Sequence, residues 1–500
     1  MPGKISRRDA LKASAIASGA VLLPSTAPLP DAAAAMRVAT AKTTITVCGT
    51  PWGLSTRYIG ADRGVTNFDI ADIKDLGINT YRFYEGHMYA WEWDDDDGVF
   101  GSPTIDEIKA DANVVNWAWW DNALTNPPEG SPFWYATNPG EGWQGNWRQI
   151  FGSLKDAGVR PMVSLRVQNA ALDPAWATPL NPPNTPEGRN EWWQHVFACV
   201  YWLNVRNDYR VDDWELGNEP NHEGQGWLGT EDDFWDFVTL TKDAIDYTYQ
   251  RFLPRREYRT YAPVSAGTSV NEAGERFGWI KDALEKVSES FDAVDYHDFS
   301  DDPSANLREV HQLMTAAGQP DRPLWVTEWG PVYNHGADAY LQVSSGILIL
   351  QNLIRMSSPD SYVYGNCIVN LYDAPNRAYL IGKDGTRRVT YYALRMGIRA
   401  LQGGRVTYRS VAGSPDVVSI TTRDHDGGVW LLVVNSAGET AYDVDADLTE
   451  LVQGGVGELW EFSESKHDTR TGRRRVVGGH VDFRVPELGA VLLRLDGPKR

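Results

Sequence analysis

From residue 44 the chain alternates between two hydrophobic periods. Short runs dense in β-branched and aromatic residues recur at TITVCGT (44–50), INTYRFY (78–84), VRPMVSLRV (159–167), DDWELGNE (212–219), YRTYAPV (258–264), DAVDYHDF (292–299), PLWVTEW (323–329) and YVYGNCIVNLY (362–372). The longer segments between them carry apolar residues at helical spacing. In NFDIADIKDLG, Asn67 can cap the start, Ile70, Ile73 and Leu76 share a face, and Gly77 can end the helix in a left-handed conformation. IKDLGI (73–78) and LKDAGV (154–159) repeat one helix–stop–strand phrase. Eight strand and helix units in alternation predict a parallel sheet, and eight strands close a barrel with a packed interior. The expected fold over residues 44–403 is therefore an α/β (β/α)8 TIM barrel. A doubly wound open sheet is the competing arrangement, but no glycine fingerprint for a dinucleotide or phosphate follows the first run.

After about residue 403 the pattern shifts to period 2. DVVSITTRD, GGVWLLVVN, AYDVDADL, GELWEFS, HVDFRVP and GAVLLRLD, separated by turn residues, predict an antiparallel β-sandwich over 404–497. It holds no candidate catalytic cluster and is expected to cover apolar surface of the barrel rather than bind sugar by itself. The stretch 85–146, with WEWDDDDG, WAWW and FWY, is too long for a simple connection. As an insertion after the second strand it would lie on the C-terminal face, where barrels bind ligands. Its DDDD tract (94–97) reads as a solvated loop.

The first 35 residues have the order of an export signal: SRRDALK, then apolar ASAIASGAVLL, then small-residue DAAAA. They resemble a twin-arginine signal with Arg7 and Arg8 as the pair, although Ala10 stands where an aromatic is usual. The mature chain is accordingly expected outside the cytoplasm, and no later stretch is apolar for long enough to span a bilayer. A net charge of −20 disfavours nucleic-acid and anionic-membrane partners, which require clustered Lys and Arg. The 21 Trp and 22 Tyr favour a flat, hydroxyl-rich ligand such as carbohydrate. Cys48, Cys199 and Cys367 are too few and too far apart for a disulfide framework.

Two glutamates fall where chemistry is expected. Glu219 in WELGNEPN ends the fourth strand and Glu328 in WVTEWG ends the seventh, so both reach the barrel mouth. Glycoside hydrolysis requires such a pair, one protonated to release the leaving oxygen and one ionised to meet the oxocarbenium-like centre; strand ends across the mouth suit the retaining separation of about 5 to 5.5 Å.

GNEPN and TEWG resemble the acid/base and nucleophile segments of the clan A retaining glycoside hydrolases. Together with DYHDF, AYLIGKDGTRRVTYYALRMGIRAL and the following sandwich, they look most like family 39, which includes β-xylosidases and iduronidases; the arabinofuranosidases of family 51 share the ELGNE wording and stand second. The resemblance implies that Glu219 is the acid/base, Glu328 the nucleophile, Asn218 a contact for the sugar 2-hydroxyl, and Arg82 the charge that keeps Glu328 ionised. It implies that His297 lies near the nucleophile. Phe299 stands where many members have tyrosine, so Tyr296 or Tyr372 would have to supply the missing hydroxyl. Trp52 and Trp329 are the expected sugar platforms. Glu215 lies deeper on the same face as Glu219 and reads as half of an interior ion pair, for which Arg82 is an alternative partner. No cofactor or metal is implied. The expected activity is exo-acting retaining hydrolysis of a plant-type pentose or hexose linkage, against an endo-glycanase, a transglycosylase or a catalytically inactive carbohydrate-binding barrel.

Overall fold

The computed structural model describes residues 39–62, 69–83, 101–125, 147–165, 185–222, 227, 229–267, 270–331, 338–372, 379–382 and 384–496. The expected signal segment, Asn67, the DDDD tract and the parts of the insertion at 84–100 and 126–146 lie outside them.

The first described element, β1 (Ala39–Leu54), corrects the reading of the chain. TITVCGT is not a barrel strand. It pairs in parallel with β13 (Thr440–Asp447) and antiparallel with β10 (Val406–Ala412), both in the C-terminal sheet. The reason is visible in its burial: Ile45 and Val47 point inward while Thr44, Thr46 and Cys48 are exposed, a strand with one covered face. The barrel instead starts at β2 (Tyr58–Asp62) and continues through β3 (Thr80–Phe83), β4 (Arg160–Leu165), β5 (Asp213–Leu216), β6 (Arg259–Ser265), β7 (Ala293–Asp298), β8 (Leu324–Trp329) and β9 (Val363–Ile368). These eight strands are parallel and close in chain order, β9 against β2. The seven other expected barrel strands fall on β3 to β9.

Ten helices among the described residues accompany them: α1 (Ile70–Leu76), α2 (Ile105–Ala110), α3 (Trp117–Thr125), α4 (Trp147–Ala157), α5 (Pro186–Tyr201), α6 (Glu231–Phe252), α7 (Gly278–Lys286), α8 (Ser304–Ala316), α9 (Val343–Ser357) and α10 (Val389–Leu401). The cap of α1 is Asp69, whose carboxylate accepts from the Ala71 amide at 2.8 Å, and Gly77 ends the helix at φ +84° as its spacing predicts. Helices α2 and α3 belong to the long insertion. The WAWW run is core there: Trp120 is buried, and Trp117 stacks on Tyr201 of α5 at 4.7 Å.

The second sheet adds β11 (Val417–Arg423), β12 (Val429–Asn435), β14 (Gly454–Ser463), β15 (Lys466–Val477), β16 (His480–Val485) and β17 (Gly489–Leu495). Its order, β1-β10-β11-β12-β17-β14-β15-β16-β13 and back to β1, encloses a core around Ile45, Val47, Leu431, Phe483 and Leu493. The outer face joins the barrel core through Ile420, Trp430, Leu432, Phe462 and Leu492, packed against α9 and α10. At one contact only glycine fits, because a Cβ on Gly346 would come within 2.4 Å of the Phe462 ring. Arg395 and Arg399 add ion pairs to Asp468 at 2.7 and 2.9 Å. The sheet therefore covers apolar barrel surface, and both parts lie in one compact unit.

Candidate active site

The chain leaves β5 through Gly217, at φ +110°, and Glu219, at φ +42°. A glutamate in the left-handed region costs roughly 1–3 kcal/mol, a strain concentrated at functional sites. Neighbouring strands hold the turn in place: the Gly217 amide donates to Leu165 O at 2.7 Å, Ser164 Oγ to Gly217 O at 2.9 Å, and the Glu219 amide to Val264 O at 2.8 Å. Glu328 is placed by a different device. The β7–β8 register slips between Tyr296↔Val326 and His297↔Glu328, making Thr327 an extra residue on β8. Thr327 Oγ1 turns to Asp295, 2.9 and 2.8 Å from its two oxygens, and the slip sets Glu328 opposite His297.

One guanidinium organises the interior side of the site. Arg82, fully buried, donates to both oxygens of Glu215 at 2.6 and 2.8 Å, to Glu328 Oε1 at 2.6 Å and to Asn218 Oδ1 at 2.8 Å, with Asp62 at 3.8 Å. Arg82 thus contacts both partners expected for it, Glu328 and Glu215. Burial opposes its charge, but the fields of Glu215, Glu328 and Asp62 outweigh that and keep it charged.

His297 organises the other side. Its Nδ1 lies 2.7 Å from Glu219 Oε1 and 3.7 Å from Glu328 Oε2. Burial disfavours the imidazolium, yet the carboxylates of Glu328 and Glu219 push its pKa up to about 9. For Glu219, burial pushes the pKa upward, but the hydrogen bond and charge of His297, with His222 and Arg82 behind, hold it below the usual carboxylate range. Asp295 is driven the other way, well above that range, by burial and by Glu215. One ligand atom each from Glu219, His297 and Glu328 lie within 4.8 Å of one another, so these three are the described residues that could hold an ion.

The remaining expected site residues hydrogen-bond to partners outside this cluster. Trp329 is buried, with its indole donating to Asn366 Oδ1 at 3.1 Å. The Tyr372 hydroxyl accepts from the Asp69 amide and donates to the Asp69 carbonyl, both at 2.9 Å, and so ties the chain after β9 to the start of α1. Tyr296 is buried and donates to Asp298 Oδ2 at 3.1 Å. Neither tyrosine supplies the missing hydroxyl. Trp52 sits on β1 and donates to Asp360 Oδ1 at 3.0 Å, just before β9 begins, which places it at the N-terminal end of the barrel and not at the mouth. Sequence reasoning missed Asp62, because β2 was unrecognised, and Thr327 and Asp295, whose roles come from the register slip.

No family model matches the chain, and no curated protein matches it. Solved structures do. A glucosidase from Croceicoccus marinus superposes with a TM-score of 0.65 at 13% identity, covering 92% of this chain and 100% of that one. A family 39 glycoside hydrolase from Xanthomonas axonopodis pv. citri gives 0.60 at 16% identity, covering 94% and 100%. A monomeric β-xylosidase from Caulobacter crescentus gives 0.62 at 16% identity, covering 92% and 100%. At these identities the likeness is one of fold: the chain shares the barrel-plus-sheet architecture of the clan to which GNEPN and TEWG pointed.

Proposed function

We propose that this chain is a retaining glycoside hydrolase in which Glu219 is the acid/base and Glu328 the nucleophile. The observation that carries the reading is their separation. Carboxylate oxygens within 4.8 Å match the retaining spacing of about 5 to 5.5 Å and leave no room for the water that an inverting pair, roughly 6.5–9.5 Å apart, places between them.

In the first displacement Glu219 gives its proton to the glycosidic oxygen as the bond from that oxygen to C1 breaks. Glu328 Oε2 attacks C1, forming a glycosyl ester while the leaving alcohol departs protonated. Arg82 holds Oε1, so the attacking oxygen is the one facing His297. In the second displacement Glu219, now ionised, takes a proton from water as that water attacks C1, restoring the free carboxylate of Glu328 and releasing a sugar of unchanged anomeric configuration. His297 Nδ1 is 2.7 Å from Glu219 Oε1, and the proton it carries passes across that contact to arm the acid. Asn218, oriented by Arg82, meets the 2-hydroxyl.

The substrate is a pentose or hexose glycoside attacked from the chain end, after export directed by residues 1–35. The β-xylosidase and glucosidase among the structural neighbours support that class. The test is proton NMR of the first product from a panel of aryl xylosides, arabinosides, galactosides, glucosides and glucuronides beside intact polysaccharides. A first product with the substrate's own configuration is expected; an inverted product refutes the assignment.

A further inference from the structure

We infer that the same three side chains form a binding site for a borderline first-row transition-metal dication, Zn2+ or Cu2+, whose occupancy shuts the proposed hydrolase off. The inference rests on that reading for its consequence and on geometry alone for the binding. A tetrahedral ion with bonds of about 2.0–2.1 Å wants donor atoms roughly 3.3 Å apart. His297 Nδ1 to Glu219 Oε1 is 2.7 Å, His297 Nδ1 to Glu328 Oε2 is 3.7 Å, and the three donors span no more than 4.8 Å. Small side-chain rotations therefore bring them to one ion.

Four features shape the selectivity and affinity. One imidazole nitrogen with two carboxylate oxygens is a mixed set that suits Zn2+ and Cu2+, whereas Ca2+ and Mg2+ require more, and all-oxygen, ligands. Arg82 occupies Glu328 Oε1, so that carboxylate can offer the ion only Oε2. Two carboxylates beside one cation neutralise charge, but the guanidinium at 2.6 Å opposes a second positive centre and keeps the affinity moderate. Among the described residues His297 Nε2 has no hydrogen-bond partner, so the outer support that strengthens metal-binding imidazoles is not supplied by them on this side. On binding, the proton between Nδ1 and Oε1 leaves to solvent. The fourth position faces the mouth, where the ion blocks the sugar and ties up both the acid and the nucleophile.

The experiment is calorimetric titration of untagged protein with ZnCl2, with CaCl2 and MgCl2 as parallel arms and no substrate present. One Zn2+ per chain is expected, with at least tenfold weaker binding in His297→Ala and in Glu219→Gln, and no saturable binding of Ca2+ or Mg2+. Circular dichroism melting establishes that each variant is folded, and either variant alone suffices. His480→Ala serves as the control, because His480 stands 3.0 Å from Asp445 on the exposed face of the second sheet and is the obvious surface competitor. Zn2+ binding that survives both active-site variants but disappears in His480→Ala overturns the inference, as does the absence of a stoichiometric ion. The two proposals fail separately: hydrolysis without metal binding removes only the metal site, and metal binding without hydrolysis removes only the proposed function.

Discussion

The imidazole of His297 donates to the carboxylate of Glu219 at 2.7 Å, joining strand β7 to the turn after β5 across the barrel mouth. Because His297 is pushed up to about 9 and Glu219 is held low, the pair keeps one proton through the neutral range and rests it on the histidine. General acid catalysis requires that proton on Glu219. Under the proposed mechanism the contact is thus a reservoir for the acid as well as an anchor for its orientation.

The sign of the pH dependence follows. The pair loses its proton as pH rises through about 9, so kcat/KM should fall along an alkaline limb near that value. In His297→Asn the reservoir is gone and Glu219 must hold its own proton as an ordinary carboxylic acid does. The limb should then move down by two units or more, measured on an aryl glycoside between pH 4 and 10. An unmoved limb would mean that His297 does not store the proton.

Removing the carboxylates separates their roles. Glu219→Gln and Glu328→Gln should each lower kcat on the order of 10³-fold or more, since the other partner cannot take over either bond-making step. Glu328→Ala should regain turnover with added azide and release a glycosyl azide of inverted configuration, because azide attacks from the face the glutamate has left. Near-wild-type turnover in either Gln variant would dispose of the assignment.

Arg82 offers a test that splits stability from activity. Arg82→Met leaves Glu215 buried, charged and without its cation, and should destabilise the fold by about 3–5 kcal/mol. Adding Glu215→Leu removes that stranded charge and should restore most of the lost stability in urea unfolding. Activity should not return, because Glu328 and Asn218 still lack the guanidinium that fixes them. Recovery of both together would reduce Arg82 to a structural role.

Much of the site was legible because the ends of parallel strands are marked in sequence by a change of composition. Glu219 comes three residues after Leu216 and Glu328 two after Val326, and the barrel places residues at the C-terminal ends of its strands at one rim. Arg82 was ambiguous only because a guanidinium has five donors and here serves both candidates. The first barrel strand was hidden for a local reason. YIGAD is short and carries Gly60, where any added Cβ would come within 2.5 Å of Thr80, so it lacks the β-branched density of its neighbours. TITVCGT has that density, yet its strict alternation belongs to a sheet with one covered face, and Trp52 was misplaced along with it. The slip at Thr327 was unreadable, since VTEW looks the same in either register. Where Tyr296 and Tyr372 send their hydroxyls depends on partners distant in sequence or on side-chain direction, and no spacing encodes that.

The exchange of β1 between the two parts gives the last prediction. Residues 39–54 come before the barrel in sequence but hydrogen-bond to β10 and β13, which come after it, so the second sheet is closed by both ends of the described chain. A chain ending at residue 403 would leave β1 without partners and uncover the faces of α9 and α10 that meet Phe462, Leu432 and Leu492. Exposed apolar surface of that extent drives association. The truncated chain should be insoluble or lack a cooperative melt by circular dichroism, and trimming its start to residue 56 should not rescue it, since the helical faces remain bare. Residues 39–496 should melt cooperatively and retain full turnover. A soluble, active barrel from residues 56–403 would show that the second sheet is dispensable to the fold.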